Sequence, residues 1–378
     1  MTAKSMKIAF VLDDSLDRPD GVQQYVLTLA AWLTRHNHQV VFICSETIRD
    51  DLDNCHSITK NISVAFNKNR LSIPLPTKKA AIHSVLIQEK PDIAHLQMPH
   101  SPFLGGRVVR ACKKLGIPVI GTFHVAPFSM VEKSGLALMR PFYQRQAKSI
   151  DRTISVSPAA CSEAEKSLRV KSRVIPNAVD IARFNKSSKR ITKHSPIEVR
   201  FLGRLVPRKG CKYALLAFHK ALQQTDKRLH LTIGGRGQLE QSLRSYVDKH
   251  ELHDHVAFAG FVPESDKVMF LSQADIIVLP STGGESFGIS VVEAMAIPSA
   301  TVIAGDNVGY RYVVDDDASL VQADDTEAFS EKLLSLISSK QRRYEIARKQ
   351  SKRAQEYDVS TIGPQVEAEY QDVLRSRS

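Results

Sequence analysis

Residues 276–295 read Ile276-Ile277-Val278-Leu279-Pro280-Ser281-Thr282-Gly283-Gly284-Glu285-Ser286-Phe287-Gly288-Ile289-Ser290-Val291-Val292-Glu293-Ala294-Met295. The opening aliphatic run, closed by proline, predicts a buried strand at Ile276–Leu279. A loop of small residues follows. Apolar residues then return at helical spacing, which predicts a helix over Ser290–Ala296. A strand with no polar alternation belongs to a parallel sheet covered on both faces. The same strand-then-helix rhythm extends to either side. Strands are predicted at Glu198–Gly203, His230–Gly234, Val256–Ala259 and Ala300–Ala304. Helices are predicted at Lys212–Thr225, Gly237–Lys249, Glu264–Gln273, Asp325–Ser338 and Gln341–Glu356.

Upstream the rhythm repeats. Strands are predicted at Lys7–Leu12, Val40–Ser45, Ile62–Phe66, Ile93–Leu96, Val119–Thr122, Arg152–Val156 and Arg173–Ile175. Helices fall at Val22–His36, Thr77–Glu89, Gly105–Leu115 and Pro158–Ser167. The polar, basic run through residues 176–196 reads as a linker. The chain is therefore α/β: two doubly wound domains, residues 1–183 and 184–363. A last helix, Pro364–Arg375 within residues 364–378, is expected to cross back to the first domain. Ligands of open α/β sheets bind beyond the carboxyl ends of the strands, so the active site is expected in the cleft between the domains.

The chain of 378 residues carries a formal net charge of +12. Most of the excess lies early: residues 60–150 hold 14 Lys and Arg against 3 Asp and Glu. Such a field draws polyanions, whether nucleic acid, anionic lipid or a phosphorylated substrate, and it also serves plain solubility. Nucleic-acid binding would want aromatics among the cations, and residues 60–118 offer only Phe66 and Phe103, so no nucleic-acid partner is expected. The five cysteines, at 44, 55, 112, 161 and 211, form no CxxC pair and read as inert reduced thiols of a cytoplasmic protein. No apolar stretch approaches the roughly 18 residues of a membrane span, so any membrane contact is expected to be peripheral.

Four loops carry candidate chemistry. Gly21 opens the first helix after Asp13-Asp14-Ser15-Leu16-Asp17-Arg18-Pro19-Asp20, where a ligand can approach the positive helix end; the same glycine also suits an ordinary turn. No GxGxxG and no GxxxxGK[ST] is present, which excludes the usual dinucleotide and P-loop fingerprints. Gly203-Arg204 through Lys209 follow a strand, and two cations there can clamp a diphosphate or simply make a basic loop. Glu285 and Glu293 bracket a glycine-rich loop whose backbone N–H groups can meet phosphate oxygens. A carboxylate also accepts two hydrogen bonds from vicinal hydroxyls. His124 closes the strand of Gly121-Thr122-Phe123-His124 and can serve as proton shuttle or phosphate partner, or be structural. The other histidines show no zinc spacing, and Asp51-Leu52-Asp53 and Asp315-Asp316-Asp317 read as solvated turns, so neither metal nor cofactor is expected.

Together these residues resemble the family 4 retaining glycosyltransferases of the GT-B fold. The carriers are the Gly21 loop, Gly203-Arg204 to Lys209, Glu285 to Glu293 with Glu285-Ser286-Phe287-Gly288, and Pro176-Asn177-Ala178-Val179-Asp180. A narrower likeness, in residues 17–30, 95–104 and 121–124, is to bacterial phosphatidylinositol mannosyltransferases. The resemblance implies a transfer of mannose from GDP-mannose to a membrane lipid, phosphatidylinositol, in glycolipid biosynthesis. Arg204 and Lys209 would neutralise the leaving diphosphate. Glu293 would hold the nucleotide ribose. Glu285, with the N–H groups of Ser286, Phe287 and Gly288, would hold the sugar and phosphates. Gly21 would cap the diphosphate, and His124 would contact the donor. The leaving phosphate itself would help deprotonate the acceptor, with no metal and no protein nucleophile. Lys68, Arg70, Lys78 and Lys79 would dock the protein on the anionic inner face of the cell membrane, aided by apolar residues around Val64–Phe66 and Leu71–Leu75. Two departures, Ala178 and Pro298 where the family has glycine, bear on loop geometry. Alternatives are another donor and acceptor (UDP-glucose to a diacylglycerol, or a soluble sugar acceptor) or an inactive sugar-nucleotide sensor.

Overall fold

A computed structural model describes residues 5–17, 20–66, 69–75, 77–98, 101, 103–125, 140–185 and 196–377. The chain divides into two compact units, Met1–Ala178 with Val359–Ser378, and Val179–Asp358.

The first unit is built on a parallel sheet of seven strands: β1 (Lys7–Val11), β2 (Gln39–Cys44), β3 (Cys55–Ser57), β6 (Ile93–Gln97), β7 (Val119–Phe123), β8 (Arg152–Ser155) and β9 (Ser172–Val174). Their order is β3-β2-β1-β6-β7-β8-β9. β1 lies centrally, with Lys7 opposite Gln39 on one side and Ile8 opposite Ile93 on the other. The central strands β1, β2, β6 and β7 are mostly apolar and largely buried because helices cover both faces. Ala9, Val11, Val41, Ile43 and Leu96 pack with Ile82 and Leu86 of α2 (Lys79–Glu89) and Val108 and Val109 of α3 (Leu104–Leu115). α1 (Gly21–Arg35) precedes β2, α4 is described over residues 140–147, and α5 (Pro158–Leu168) starts on a Ser157 cap with proline at its first turn.

One sequence expectation fails here. The strand predicted at Ile62–Phe66 is not part of the parallel sheet. It is β4 (Asn61–Phe66), paired antiparallel with β5 (Asn69–Pro74) in a separate hairpin. The edge position belongs to β3, whose Ser57 pairs with Cys44. A three-residue Cys-His-Ser strand carries no apolar periodicity, and alternation alone does not distinguish a hairpin arm from a parallel strand.

The second unit holds a six-stranded parallel sheet in the order β12-β11-β10-β13-β14-β15. The strands are β10 (Ile197–Leu202), β11 (Leu229–Gly234), β12 (Val256–Gly260), β13 (Ile276–Leu279), β14 (Thr301–Gly305) and β15 (Leu320–Val321). On one face Val199, Phe201, Leu231 and Val278 pack against Leu215 and Phe218 of α7 (Cys211–Leu222) and Phe329 and Leu333 of α12 (Thr326–Ser338). The helices α8 (Glu240–Lys249), α9 (Lys267–Ser272), α10 (Ile289–Met295), α11 (Val308–Val314) and α13 (Lys340–Ala354) complete the layers.

The division between units falls at Ala178/Val179, five residues before the predicted boundary. The cause is local. Val179 N–H donates to Tyr357 O at 2.9 Å, and Ile181 N–H to the Asp358 carboxylate at 3.1 Å, tying the short helix α6 (Ile181–Asn185) to the second unit. The return to the first unit is α14 (Val359–Arg377), which starts five residues before its predicted Pro364 and carries that proline inside it. Its buried residues Ile362, Val366, Tyr370 and Val373 recur at helical spacing. Tyr370 Oη lies 2.6 Å from His95 Nδ1, and the buried Glu369 carboxylate pairs with Arg152 and Arg173.

Candidate active site

The strand order of the second unit reverses between β10 and β13, which pair directly with Phe201 opposite Val278. At such a switch point two loops leave adjacent strands in opposite directions and open a crevice. Here they are residues 203–210 and 280–288, the loops on which the sequence placed its cations and its glycine-rich string.

The two loops are stitched together. Ser281 Oγ and Thr282 N–H both reach the Arg208 carbonyl at 2.9 Å. Gly210, at φ +73°, lies so close to Pro280 that an added Cβ would fall 1.9 Å from its carbonyl oxygen, so only glycine fits. The result brings Lys209 and Glu285 together. Glu285 Oε1 accepts hydrogen bonds from Arg208 Nη1 at 2.6 Å, Lys209 Nζ at 2.9 Å and Ser281 Oγ at 3.0 Å. Burial works to raise the Glu285 carboxyl, but Lys209 and Arg208 outweigh it and hold it below the usual glutamate range. Burial likewise opposes the Lys209 charge, and Glu285 outweighs it and raises the ammonium. The cage is fully ionised at neutral pH and carries one net positive charge. Arg204, from the same loop, is exposed and its side chain makes no ion pair among the described residues.

Among the described residues, no protein acceptor receives the N–H groups of Glu285, Ser286, Phe287 or Gly288. Phe287 anchors the loop, its buried ring edge-on to Tyr357 at 5.3 Å. Gly288 precedes α10 at φ +118°, and an added Cβ would fall 2.6 Å from the Tyr310 ring.

Glu293 lies on α10 and is buried, but in a second cluster. Both its oxygens accept from Lys267 Nζ of α9, at 3.0 and 3.2 Å. Lys267 also pairs with Glu264 at 2.6 Å, and Glu264 with Arg183 at 2.7 Å. Burial outweighs Lys267 and leaves the Glu293 carboxyl raised. Ala178 is buried and takes no positive φ, and Pro298 stands second in a turn closed by Ala300 N–H on Ile297 O at 3.3 Å. Neither departure from glycine strains the chain.

In the first unit the order reverses between β1 and β6. Gly21 is the first residue of α1. His124 follows β7 and is buried, its Nε2 2.8 Å from Gln97 Oε1 at the end of β6. Asp13, past the end of β1, accepts from Gly105 N–H at 2.6 Å and from Ser101, and burial pushes its carboxyl up to about 7. Lys78 and Lys79 are exposed at the amino end of α2. Arg70 lies on β5, and Lys68 lies outside the described residues.

Residues 183–357 match the family described as Glycosyl transferases group 1, and residues 19–183 match Glycosyltransferase Family 4. The phosphatidyl-myo-inositol mannosyltransferase of Mycolicibacterium smegmatis is 30% identical over 376 residues, covering 97% of this chain and 94% of that protein. The chain belongs to the family 4 glycosyltransferases. An alpha-monoglucosyldiacylglycerol synthase of Streptococcus pneumoniae is 25% identical over 80% of this chain and 71% of its own length. A solved glycosyltransferase structure from Rickettsia africae has a TM-score of 0.75, with 15% identity and coverage of 98% and 99%. The fold of this glycosyltransferase is thus GT-B, two Rossmann-like domains with parallel sheets.

Sequence reading missed several residues of these clusters, Arg183 and Asp13 among them. Arg208 lies in the same basic loop with nothing in the sequence to single it out, yet it and not Arg204 reaches Glu285. Lys267, at the start of α9, and Glu264, in the turn before it, lie far along the chain from Glu293, with no motif to mark them. Gln97 sits in an apolar strand, and its polarity at a strand's carboxyl end was the available signal.

Proposed function

We propose that this glycosyltransferase moves a hexose, mannose from GDP-mannose, onto a membrane lipid acceptor, phosphatidylinositol, with retention of configuration. The observation that carries the reading is the Arg208–Glu285–Lys209 cage at the switch point of the second unit, in a chain of near full-length likeness to a phosphatidyl-myo-inositol mannosyltransferase. The chemistry asks for a fixed positive field where the diphosphate leaves and a carboxylate for the sugar hydroxyls. Arg208, Lys209 and the exposed Arg204 supply the first. Glu285 supplies the second, and its carboxylate bridges the two partly buried cations. The N–H groups of Ser286, Phe287 and Gly288 receive phosphate oxygens. Glu293, held by Lys267, accepts the ribose hydroxyls. In the first unit Gly21 caps the diphosphate and His124 meets the donor.

The lipid acceptor has physical support of its own. Lys78 and Lys79 stand at the amino end of α2, where no acidic residue occupies the first turn. Cations there oppose the helix dipole and cost about 0.3–1 kcal/mol each. That cost is offset when the face meets anionic lipid, which attracts each cation by about 1 kcal/mol. No helix of the described residues is long and apolar enough to cross a membrane. In this reading the protein docks peripherally, on the inner face of the cell membrane. Metal plays no part in this scheme.

The likeness to a monoglucosyldiacylglycerol synthase favours a second reading, a UDP-glucose donor with a diacylglycerol-type acceptor. A thermal-shift screen against GDP, GDP-mannose, UDP-glucose and UDP-N-acetylglucosamine separates the two. A ligand at 100 times its Kd adds about 2.7 kcal/mol, and each kcal/mol moves Tm by about 2–4 °C for a domain of this size. Protection by GDP and GDP-mannose supports the mannosyl reading. Protection by UDP-glucose alone replaces it with the second.

A further inference from the structure

We propose that Gln97 is a positioning residue for His124, fixing the plane of its ring and placing the proton of the neutral imidazole on Nε2. The inference rests on the reading above that His124 serves the transfer. An amide oxygen accepts and does not donate, so the 2.8 Å contact of Gln97 Oε1 with His124 Nε2 requires a proton on that nitrogen. The neutral ring then carries its lone pair on Nδ1.

Two further observations separate this role from ordinary packing. Gln97 is 1% exposed, and its buried Nε2 has no partner among the described residues. A buried amide left half-satisfied is costly, and an aliphatic residue would fill the strand end at no such cost. What the glutamine supplies, among the described residues, is its bond to His124. The ring is also held from a second side. Tyr25, one turn into α1 from Gly21, meets His124 edge-on at 5.4 Å, and Thr122 engages the Tyr25 hydroxyl. Thr122 Oγ1 in turn lies 2.6 Å from His95 Nε2, whose other nitrogen meets Tyr370. Among the described residues, the titratable groups packed around His124 are Tyr25 from α1 and His95 from β6. Burial drives the first up and the second down to about 3, so both are neutral at pH 7.

The test compares wild type, Gln97→Met, Gln97→Glu and His124→Ala, using GDP-mannose with phosphatidylinositol vesicles, beside imidazole ¹⁵N spectra of histidine-labelled protein. The His124 signal is assigned by its absence in His124→Ala. The expected wild-type spectrum shows a protonated, pyrrole-type Nε2 and a pyridine-type Nδ1. Gln97→Met is expected to erase that preference and lower kcat about tenfold or more, short of the roughly 100-fold or more that general acid–base catalysis itself contributes, with donor KM and Tm little changed. Gln97→Glu restores an acceptor and adds a negative charge. It is expected to keep the Nε2 proton and to move the His124 pKa, and the matching limb of the pH–rate profile, up by about one unit or more. Loss of activity in His124→Ala with unchanged spectra and kinetics in both Gln97 variants overturns the proposal alone. Full turnover in His124→Ala overturns it together with the reading on which it rests. A wild-type Nδ1–H tautomer overturns it outright.

Discussion

Replacing Glu285 with glutamine removes one charge and almost no volume, so the result reports on the cage alone. Two cations sit 2.6 and 2.9 Å from the same carboxylate oxygen, and the three side chains are 13%, 19% and 28% exposed. At an effective dielectric near 20, each contact has a gross Coulomb attraction of about 6 kcal/mol. Desolvation of the three charges consumes most of that. Removing one partner of a buried pair nevertheless costs about 3–5 kcal/mol, since the remaining charges are left uncompensated. A glutamine oxygen still accepts one hydrogen bond, so the low end, about 3 kcal/mol, is expected. That corresponds to a fall in Tm of about 6–12 °C at 2–4 °C per kcal/mol. The pH dependence has a definite sign. Glu285 is depressed in the folded protein, so its contribution is fully present above the unfolded glutamate pKa and is lost as pH falls through the lower folded value. The gap between wild type and Glu285→Gln is therefore flat from pH 8 to pH 5 and closes only below about pH 4.5. Chemical denaturation followed by tryptophan-independent circular dichroism, at several pH values, measures it. A variant within 1 kcal/mol of wild type at pH 7, or a gap that narrows between pH 8 and pH 6, would refute the reasoning.

Three further outcomes are expected. Lys267→Met leaves the buried Glu293 without its main cation and drives its already raised carboxyl higher. The variant then loses stability as pH rises from 5 to 8, the reverse of the Glu285 case, and denaturation at the two pH values checks it. Gly288→Ala forces a side chain into a positive-φ position and against the buried Tyr310 ring. It should cost about 2 kcal/mol or more, read as a fall in Tm, together with weaker nucleotide binding by calorimetry. Lys78→Ser with Lys79→Ser should reduce co-sedimentation with anionic vesicles at low salt while leaving nucleotide binding intact, and unchanged sedimentation removes the membrane argument.

The parts of the fold legible in sequence were those with a long apolar signal. Ile276–Leu279, or Val119 to Phe123, is a buried parallel strand by composition alone, and the loops after such strands announce themselves by glycine and charge. The parts that were not legible depend on pairing between distant segments. β3 is three residues of Cys, His and Ser, held at the edge by pairing along Phe42, Ile43 and Cys44 of β2. The same pairing brings Cys44 and Cys55, read separately as inert thiols, to a sulfur–sulfur distance of 3.9 Å. Pro364 suggested a helix start, yet the buried stripe from Val359 to Val373 carries the helix through it. The site divides in the same way. Glu285 and Lys209 were marked by their loops. That Arg208 and not Arg204 reaches Glu285 follows from the tight turn Pro207–Lys209 and the close pass of Gly210 against Pro280. That Glu293 is held by Lys267 follows from α9 lying beside α10, which no local pattern encodes.

The central claim is that the cage of the second unit drives mannosyl transfer to a lipid. Its most direct test is to incubate the protein with GDP-[¹⁴C]mannose and phosphatidylinositol vesicles, with Glu285→Gln in parallel, and count label in the organic phase. The account predicts a labelled glycolipid from wild type, dependent on phosphatidylinositol, and none above background from the variant. Equal product from both proteins, or labelled lipid formed only from a UDP-sugar, would contradict it.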